Sequence, residues 1–278
     1  MASFFVQQLS GASFSVRHTG GEIDLPTTYG SQPWQEVLQF LCLQNLDEQF
    51  SYMLVDFLKR YGCIVLQITK SSDSPNFHNI WLPIRKLTGF VKYLTEVPVF
   101  HDQTRETYDN LFVTPYFPLG SLASYSWNME NLPIFRSVVK QAFLLMVEAL
   151  HGKGFVHGNF HAGNVLMKPI KKRKLSFTIR DIGIISKIPS YGFSACITGH
   201  RKGRFVEPTC VEEEKVVLND FYYDLLKFFL LVKEIAPVNF STIQPILMYF
   251  GQWNMDCKKM VRGDVECILA CIEGIVFL

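Results

Sequence analysis

The segment 155-FVHGNFHAGNVLM-167 and the later segment 178-TIRDIGIIS-186 each have the pattern of a strand, a polar turn and a second strand. The first turn carries four side chains that can form hydrogen bonds: His157, Asn159, His161 and Asn164. In the second turn, Asp181 lies between the apolar residues Ile179 and Ile182, next to Arg180, and Gly183 allows a backbone bend at positive φ. Polar groups crowded at the ends of short apolar strands are costly to hold there unless they bind something. Both turns are therefore candidate binding positions.

The first turn resembles the catalytic loop of protein kinases, in the His-Gly-x-x-His-x-x-Asn form found among aminoglycoside and choline kinases and some atypical eukaryotic kinase-like proteins. Asp181-Ile182-Gly183 resembles the Asp-Phe-Gly motif of the same superfamily. In those enzymes the loop Asn and the motif Asp hold Mg²⁺ against the phosphates of ATP. The resemblance covers roughly residues 60–235. It implies that Asn164 and Asp181 are metal ligands and cofactor-binding residues.

The chain departs from the kinase pattern at the catalytic Asp, whose position is taken by Asn159. An amide can orient a hydroxyl but has no basicity near neutral pH, and loss of general-base assistance typically costs about 10²–10⁴ in rate. His161 is an alternative base, although this His is usually structural in loops of this form. His157 is expected to anchor the loop backbone through Asp220, which aligns with the buried Asp that kinases use for this purpose. The alternative role for Asp220 is capping of the helix that follows.

The stretch 63-CIVLQITK-70 is short and β-branched, which predicts a strand. It resembles the third kinase strand, whose phosphate-binding lysine would align with Gln67, and Lys70 or Lys59 is the alternative. A glutamine cannot supply the positive charge of that lysine. The run 10-SGASFSV-16 resembles a glycine-rich loop, and the alternative is an ordinary hairpin turn.

The resemblance places a kinase C-helix in residues 79–96, which lack a Glu at their middle and are interrupted by Pro83 and Gly89. Residues 98–125 predict a strand, a turn and a second strand. The end of the second strand resembles the kinase hinge, so the backbone near Tyr116 and Phe117 is expected to contact adenine.

Two long helices are predicted, an amphipathic one over 133–153 and one over 217–232 that resembles the kinase F-helix. The expected fold class is α+β, a protein-kinase-like two-lobed fold with a β-rich N-lobe and a helical, shortened C-lobe. The expected division is an N-terminal extension or part of the N-lobe at 1–45, a kinase-like N-lobe at 46–117, and a kinase-like C-lobe at 118–278.

The composition predicts a folded protein, because 48% of the 278 residues are apolar and only 19% are charged. A net charge of +2 gives no global argument for a nucleic-acid or membrane partner. The run 168-KPIKKRKLSF-177 has five basic residues at a predicted turn, but it lacks interleaved aromatic residues, which favours a solvated turn. The scattered cysteines fit reduced thiols in an intracellular, cytoplasmic protein, and the apolar run 225–232 is too short for a transmembrane segment.

The resemblance implies a pseudokinase, which acts as a binding, scaffolding or regulatory module for a protein partner and binds ATP and Mg²⁺ weakly or not at all. It is loosely similar to kinase-like proteins of the PX-domain and slowpoke-binding type. The alternative is a weakly active ATP-dependent phosphotransferase on protein or small-molecule hydroxyls, with Asn159 orienting the substrate. A third interpretation is an unrelated α+β protein with a chance motif, which a helix over 157–164 would favour.

Overall fold

Short strands flank both polar turns in the computed structural model of the chain, which has a mixed α+β fold. The structure describes residues 2–7, 13–18, 31–33, 63–70, 83–92, 94–100, 108–115, 117–207, 210–235, 240–256 and 258–275. The chain divides into two compact units, one made of residues 1–81 and 91–116 and the other of 82–90 and 117–278.

The first unit contains a six-stranded antiparallel sheet with the strand order β3-β2-β1-β4-β6-β5. Its strands are β1 Ala2–Gln7, β2 Ser13–His18, β3 Ser31–Pro33, β4 Cys63–Lys70, β5 Thr95–Phe100 and β6 Tyr108–Pro115. β4 is the predicted strand over 63–70 and pairs on both sides, with β1 and β6. Its β-branched residues suit such a strand, because they pack well on a pleated surface.

The second unit contains four described α-helices: α1 Leu132–Lys153, α2 Val211–Ile235, α3 Phe240–Asp256 and α4 Arg262–Glu273. The two helices predicted from apolar spacing are confirmed as α1 and α2. α1 ends at Gly154, whose φ of 61° is left-handed and whose N–H bonds the Leu150 carbonyl at 2.7 Å. None of the described helices combines the length and apolar character needed to cross a membrane.

Three antiparallel strand pairs complete the second unit: β7 with β12, β8 with β11, and β9 with β10. The strands are β7 Phe155–Val156, β8 Val165–Pro169, β9 Lys174–Ile179, β10 Ile184–Pro189, β11 Phe193–Ile197 and β12 Arg204–Phe205. Both predicted strand-turn-strand segments are confirmed. The chain that leaves β8 first forms the β9–β10 hairpin and only then returns along β8 as β11.

The predicted C-helix is wrong for residues 83–92, where only 83–84 are helical and turns follow. Gly89 has a φ of +73° and Phe90 forms a bridge with Ile197, so the chain there is not helical. Residues 157–164 form a loop whose helical part is one 3₁₀ turn at Ala162–Asn164, which removes the expected support for a chance motif. Of the segment 10–16, residues 10–12 lie outside the described ranges.

Candidate functional site

A buried carboxylate of α2 accepts hydrogen bonds from the backbone of the loop 157–164, which lies between β7 and β8. Asp224 is 1% exposed; its Oδ2 accepts the Gly158 N–H at 2.7 Å and its Oδ1 accepts the Phe160 N–H at 2.9 Å. Burial raises the pKa of the Asp224 carboxyl, and the two N–H donors act in the opposite direction. The Phe160 ring stacks on Phe228 at a centroid distance of 4.6 Å. One carboxylate and one aromatic pair therefore fix the loop backbone on α2.

The prediction that Asp220 anchors the loop is wrong. Asp220 is 43% exposed and pairs with Arg204. Asp224 comes three residues after Phe221 and four before Phe228, and both of these aromatic residues are fully buried. It therefore lies on the inward stripe of α2. A carboxylate within an apolar stripe was the sequence signal that could have identified it.

His157 joins the loop to the end of β11. The ring is fully buried, its Nε2 lies 2.8 Å from the Thr198 carbonyl oxygen, and its Nδ1 accepts the Asn159 N–H at 3.2 Å. Burial lowers the pKa of His157 to about 4. At neutral pH the ring is therefore uncharged, with its proton on Nε2, and it bonds Thr198 rather than Asp220.

The loop contains no carboxylate, and Asn159 occupies the position expected for a general base. His161 is half-buried; its Nδ1 accepts the Gly163 N–H at 3.1 Å and its Nε2 lies 3.0 Å from Nδ2 of Asn164. Burial, followed by the charge of Lys227, lowers the pKa of His161. Because Nδ1 accepts the Gly163 N–H, the proton of the neutral ring lies on Nε2, and His161 has no free lone pair for an outside hydroxyl.

Asn164 is held by the loop and by the residues that follow β11. Its Nδ2 donates to the Asn159 carbonyl at 2.8 Å, and its backbone carbonyl accepts the Thr198 N–H at 2.8 Å. Gly199, at a φ of +74°, lies so close that a Cβ there would be 2.5 Å from the Asn164 carboxamide. The side chain of Asn164 is thus confined against Gly199.

Asp181 lies in the exposed turn between β9 and β10 of the second unit. Its charge raises the pKa of His151 at the end of α1, although burial has the larger effect and lowers that pKa. The strand that runs back along β8 towards Asn164 is β11, which ends at Thr198 and Gly199. Asn164 and Asp181 therefore have different neighbours, and their pairing as cation ligands stays a prediction. Within the described ranges, no group of three or more His, Cys, Asp or Glu could hold a metal ion.

The remaining predicted nucleotide contacts belong to the strands of the first unit and to the first residues after them. The structure places the backbone of Gln67 and Lys70 in β4, and their side chains are not among the described parts of the chain. Tyr116 also lies outside the described residues. Phe117 is half-buried in the second unit, and its carbonyl accepts the Gly120 N–H at 3.0 Å. That carbonyl already has a partner in a tight turn.

Lys227 is a cation near the loop that the sequence did not indicate. Its charge lowers the pKa of His157, His161 and Asp224, and its Nζ lies 5.3 Å from the Tyr223 ring centroid. A lysine in an amphipathic helix is usually a solvated residue, so nothing in the sequence singled it out.

The assembled loop offers a neutral imidazole, carboxamides and backbone groups, with one lysine charge nearby. Such a set can form hydrogen bonds with a ligand, but the loop itself has no carboxylate to accept a proton at neutral pH. The chain matches no known protein-family model and no curated protein.

Proposed function

We propose that the chain is a kinase-like protein without phosphotransferase activity, which acts as a binding, scaffolding or regulatory module for a protein partner. The two-lobed kinase-like fold is part of the same proposal. One observation supports it best: the loop 157–164 is fixed by Asp224 and His157, yet it presents the amide of Asn159 where the chemistry requires a carboxylate.

The absence of a carboxylate base from the loop 157–164 argues against the enzymatic alternative. Loss of general-base assistance alone lowers the rate by about 10²–10⁴. His157 cannot replace the base, because it is fully buried and already bonded to Thr198. His161 cannot do so either, since the lone pair of Nδ1 accepts the Gly163 N–H and the proton of the neutral ring then lies on Nε2.

The way in which Asp224 fixes the backbone of the loop supports a binding role. A buried carboxylate is unfavourable unless hydrogen bonds compensate its lost hydration. Both oxygens of Asp224 are used to hold backbone N–H groups of Gly158 and Phe160. The second unit therefore stabilises the shape of the loop, and this stabilisation does not depend on acid–base chemistry at position 159.

Nucleotide binding is a separate question from catalysis. Lys227 supplies positive charge near the loop, which favours phosphate groups, and Asn164 supplies an amide. Among the described contacts of Asn164, neither Thr198 nor Gly199 carries a carboxylate that could complete a Mg²⁺ site. We therefore expect weak ATP binding at most, with little added by Mg²⁺.

The test combines a thermal shift with an activity assay. Melting is measured with ATP, with Mg²⁺ and with both, on the wild type and on Asp181→Ala; a ligand present at about 100 times its Kd adds about 2.7 kcal/mol of stability. Phosphoryl transfer and ATP hydrolysis are then measured for the wild type, for Asn159→Asp and for the amide-preserving control Asn159→Gln. We expect no turnover in any of the three.

Two outcomes would overturn the proposal. The first is ATP turnover that appears in Asn159→Asp and is absent from Asn159→Gln, which would identify a phosphotransferase whose only missing group is the catalytic carboxylate. The second combines two results: the wild type shows measurable turnover, and its melting temperature rises only when ATP and Mg²⁺ are both present, a rise that Asp181→Ala abolishes.

A further inference from the structure

The strongest local charge on the chain lies in residues 168–193, here named the basic hairpin. It holds seven lysine and arginine residues against one aspartate, a net charge of +6 in a chain whose total is +2. All seven are exposed, and none forms an ion pair with a described residue: Lys168, Lys171, Lys172, Arg173, Lys174, Arg180 and Lys187. The rest of the chain therefore carries −4. The near-neutral total hides a segregation of charge, which is typical of proteins that bind polyanions.

The backbone that carries these cations is fixed. Ser190, which is fully buried, donates its hydroxyl to the Lys172 carbonyl and accepts the Gly192 N–H at 3.2 Å. Its own N–H bonds the Arg173 carbonyl at 2.9 Å. The turn between β8 and β9 is thus tied to the turn between β10 and β11. Less backbone freedom is lost when a ligand binds to such a preorganised surface.

The turn between β10 and β11 carries an exposed aromatic ring, Tyr191, close in sequence to the cations. Tyr191 is 53% exposed, and among the described residues it is the non-glycine residue with positive φ, at 48°. L-residues adopt this conformation at an energetic cost, which the bonded turns sustain. The aromatic residue that the basic run lacks in sequence is therefore supplied by the adjoining turn.

The outer face of the β9–β10 hairpin continues the surface with donors suited to phosphates. Ser176 pairs across from Lys187, and Thr178 lies two residues further along β9; all three are exposed. Lysine, arginine, serine, threonine and tyrosine side chains are the usual partners of nucleic-acid phosphates. Exposed apolar side chains, which a membrane surface would require, are few here: Ile185 opposite Thr178 is 78% exposed, whereas Ile170 and Ile182 in the adjoining turns are half-buried.

We propose that the basic hairpin binds single-stranded nucleic acid, with its lysines and arginines along the phosphate backbone and Tyr191 stacked on a base. Cationic tracks combined with stacking aromatics are the general mode of single-strand binding. This inference replaces the expectation, drawn from net charge, that the chain has no nucleic-acid partner. It is independent of the proposed function, since the contacts are made by the cations and Tyr191 and not by the loop 157–164 or by Asp181.

Binding is tested on the full chain by fluorescence anisotropy with a labelled oligo-uridine of about 20 nucleotides, which exceeds a typical single-strand site. The triple variant Lys171→Gln/Lys172→Gln/Arg173→Gln is compared with the control Lys153→Gln/Lys215→Gln/Lys258→Gln, which removes the same charge from exposed lysines outside the hairpin. We expect at least about tenfold weaker binding in the hairpin triple and a change below about twofold in the control. The slope of log K against log salt should fall in magnitude by about 2, since each phosphate contact on a single strand contributes about 0.7.

The role of the ring is tested separately with Tyr191→Asn, because Asn tolerates left-handed backbone and cannot stack as an aromatic ring does. We expect at least about fivefold weaker binding of the single strand and no change for a duplex of equal length. Circular dichroism establishes that each variant is folded. Equal losses in the two triples, or no wild-type binding at low salt, would overturn the proposal. So would tighter binding of phosphatidylserine vesicles than of oligo-uridine, which would assign the surface to a membrane.

Discussion

Acidification should destabilise this protein through His157, and the size of the effect follows from its burial. The folded-state pKa is lowered to about 4, while an unfolded histidine titrates near 6.5. Between these values the unfolded state binds more protons, so the free energy of unfolding falls as pH decreases. With these two pKa values, lowering the pH from about 7 to about 4.5 removes about 2 kcal/mol, and the rest of the loss follows as the pH falls through the folded-state pKa.

Other groups titrate in the same window, so the effect of His157 must be isolated by comparison. Burial also lowers the pKa of His151 and His161, whereas it raises the pKa of Glu148 and Asp224. His157→Gln keeps an N–H donor for the Thr198 carbonyl but cannot titrate. The difference in unfolding free energy between the wild type and this variant therefore reports the titration of one ring.

The assay is urea unfolding followed by tryptophan fluorescence at a series of pH values. We expect the difference between the two proteins to be constant above about pH 7 and to change by about 2 kcal/mol towards about pH 4.5, with the wild type losing more. In a parallel NMR titration, the ring signal of His157 should not move above about pH 5. Parallel stability curves, or a ring that titrates near 6.5, would refute the burial argument.

Two further predictions use pairs of matched variants, each measured by chemical denaturation. Asp224→Ala should cost about 2–5 kcal/mol, because it leaves two loop N–H groups without their acceptor, whereas Asp220→Ala at the exposed ion pair should cost less than about 1 kcal/mol; similar costs would mean that Asp224 does not hold the loop. Gly199→Ala should cost at least about 1 kcal/mol more than Gly183→Ala. Both glycines have left-handed φ, but a Cβ at 183 meets open space while one at 199 meets Asn164, so equal costs would contradict the confinement of that amide.

The elements with a clear local period were predictable from the sequence. α1 and α2 follow their apolar spacing, and β4 has the predicted bounds of 63–70. The partner of β8 was not predictable, because pairing between strands is set by contacts distant in sequence. The Asp-x-Gly turn directly follows β9, the next predicted strand after β8, and comparison with the kinase motif therefore identified Asp181 as the expected partner of Asn164. Thr198 and Gly199 follow β11, which pairs with β8, and no sequence motif marks them.

The choice between Asp220 and Asp224 failed for a related reason. Both residues lie on α2 within one turn of each other, so distance from a motif cannot separate them. Burial does: Asp224 shares the inward face with Phe221 and Phe228, and Asp220 faces solvent. A carboxylate is tolerated on that face only because two N–H groups meet it, and those donors come from a loop more than 60 residues earlier in the chain.

The contacts that hold the loop also determine how cleanly its chemistry can be tested. Asp224 bonds the backbone at Gly158 and Phe160, and His157 bonds the backbone at Asn159 and Thr198. Within the described part of the chain, no hydrogen bond to the Asn159 side chain supports the loop. Replacing this half-buried amide by a carboxylate of nearly equal volume should therefore leave the loop in place, so a lack of turnover in Asn159→Asp would reflect missing chemistry elsewhere in the site and not a misfolded loop.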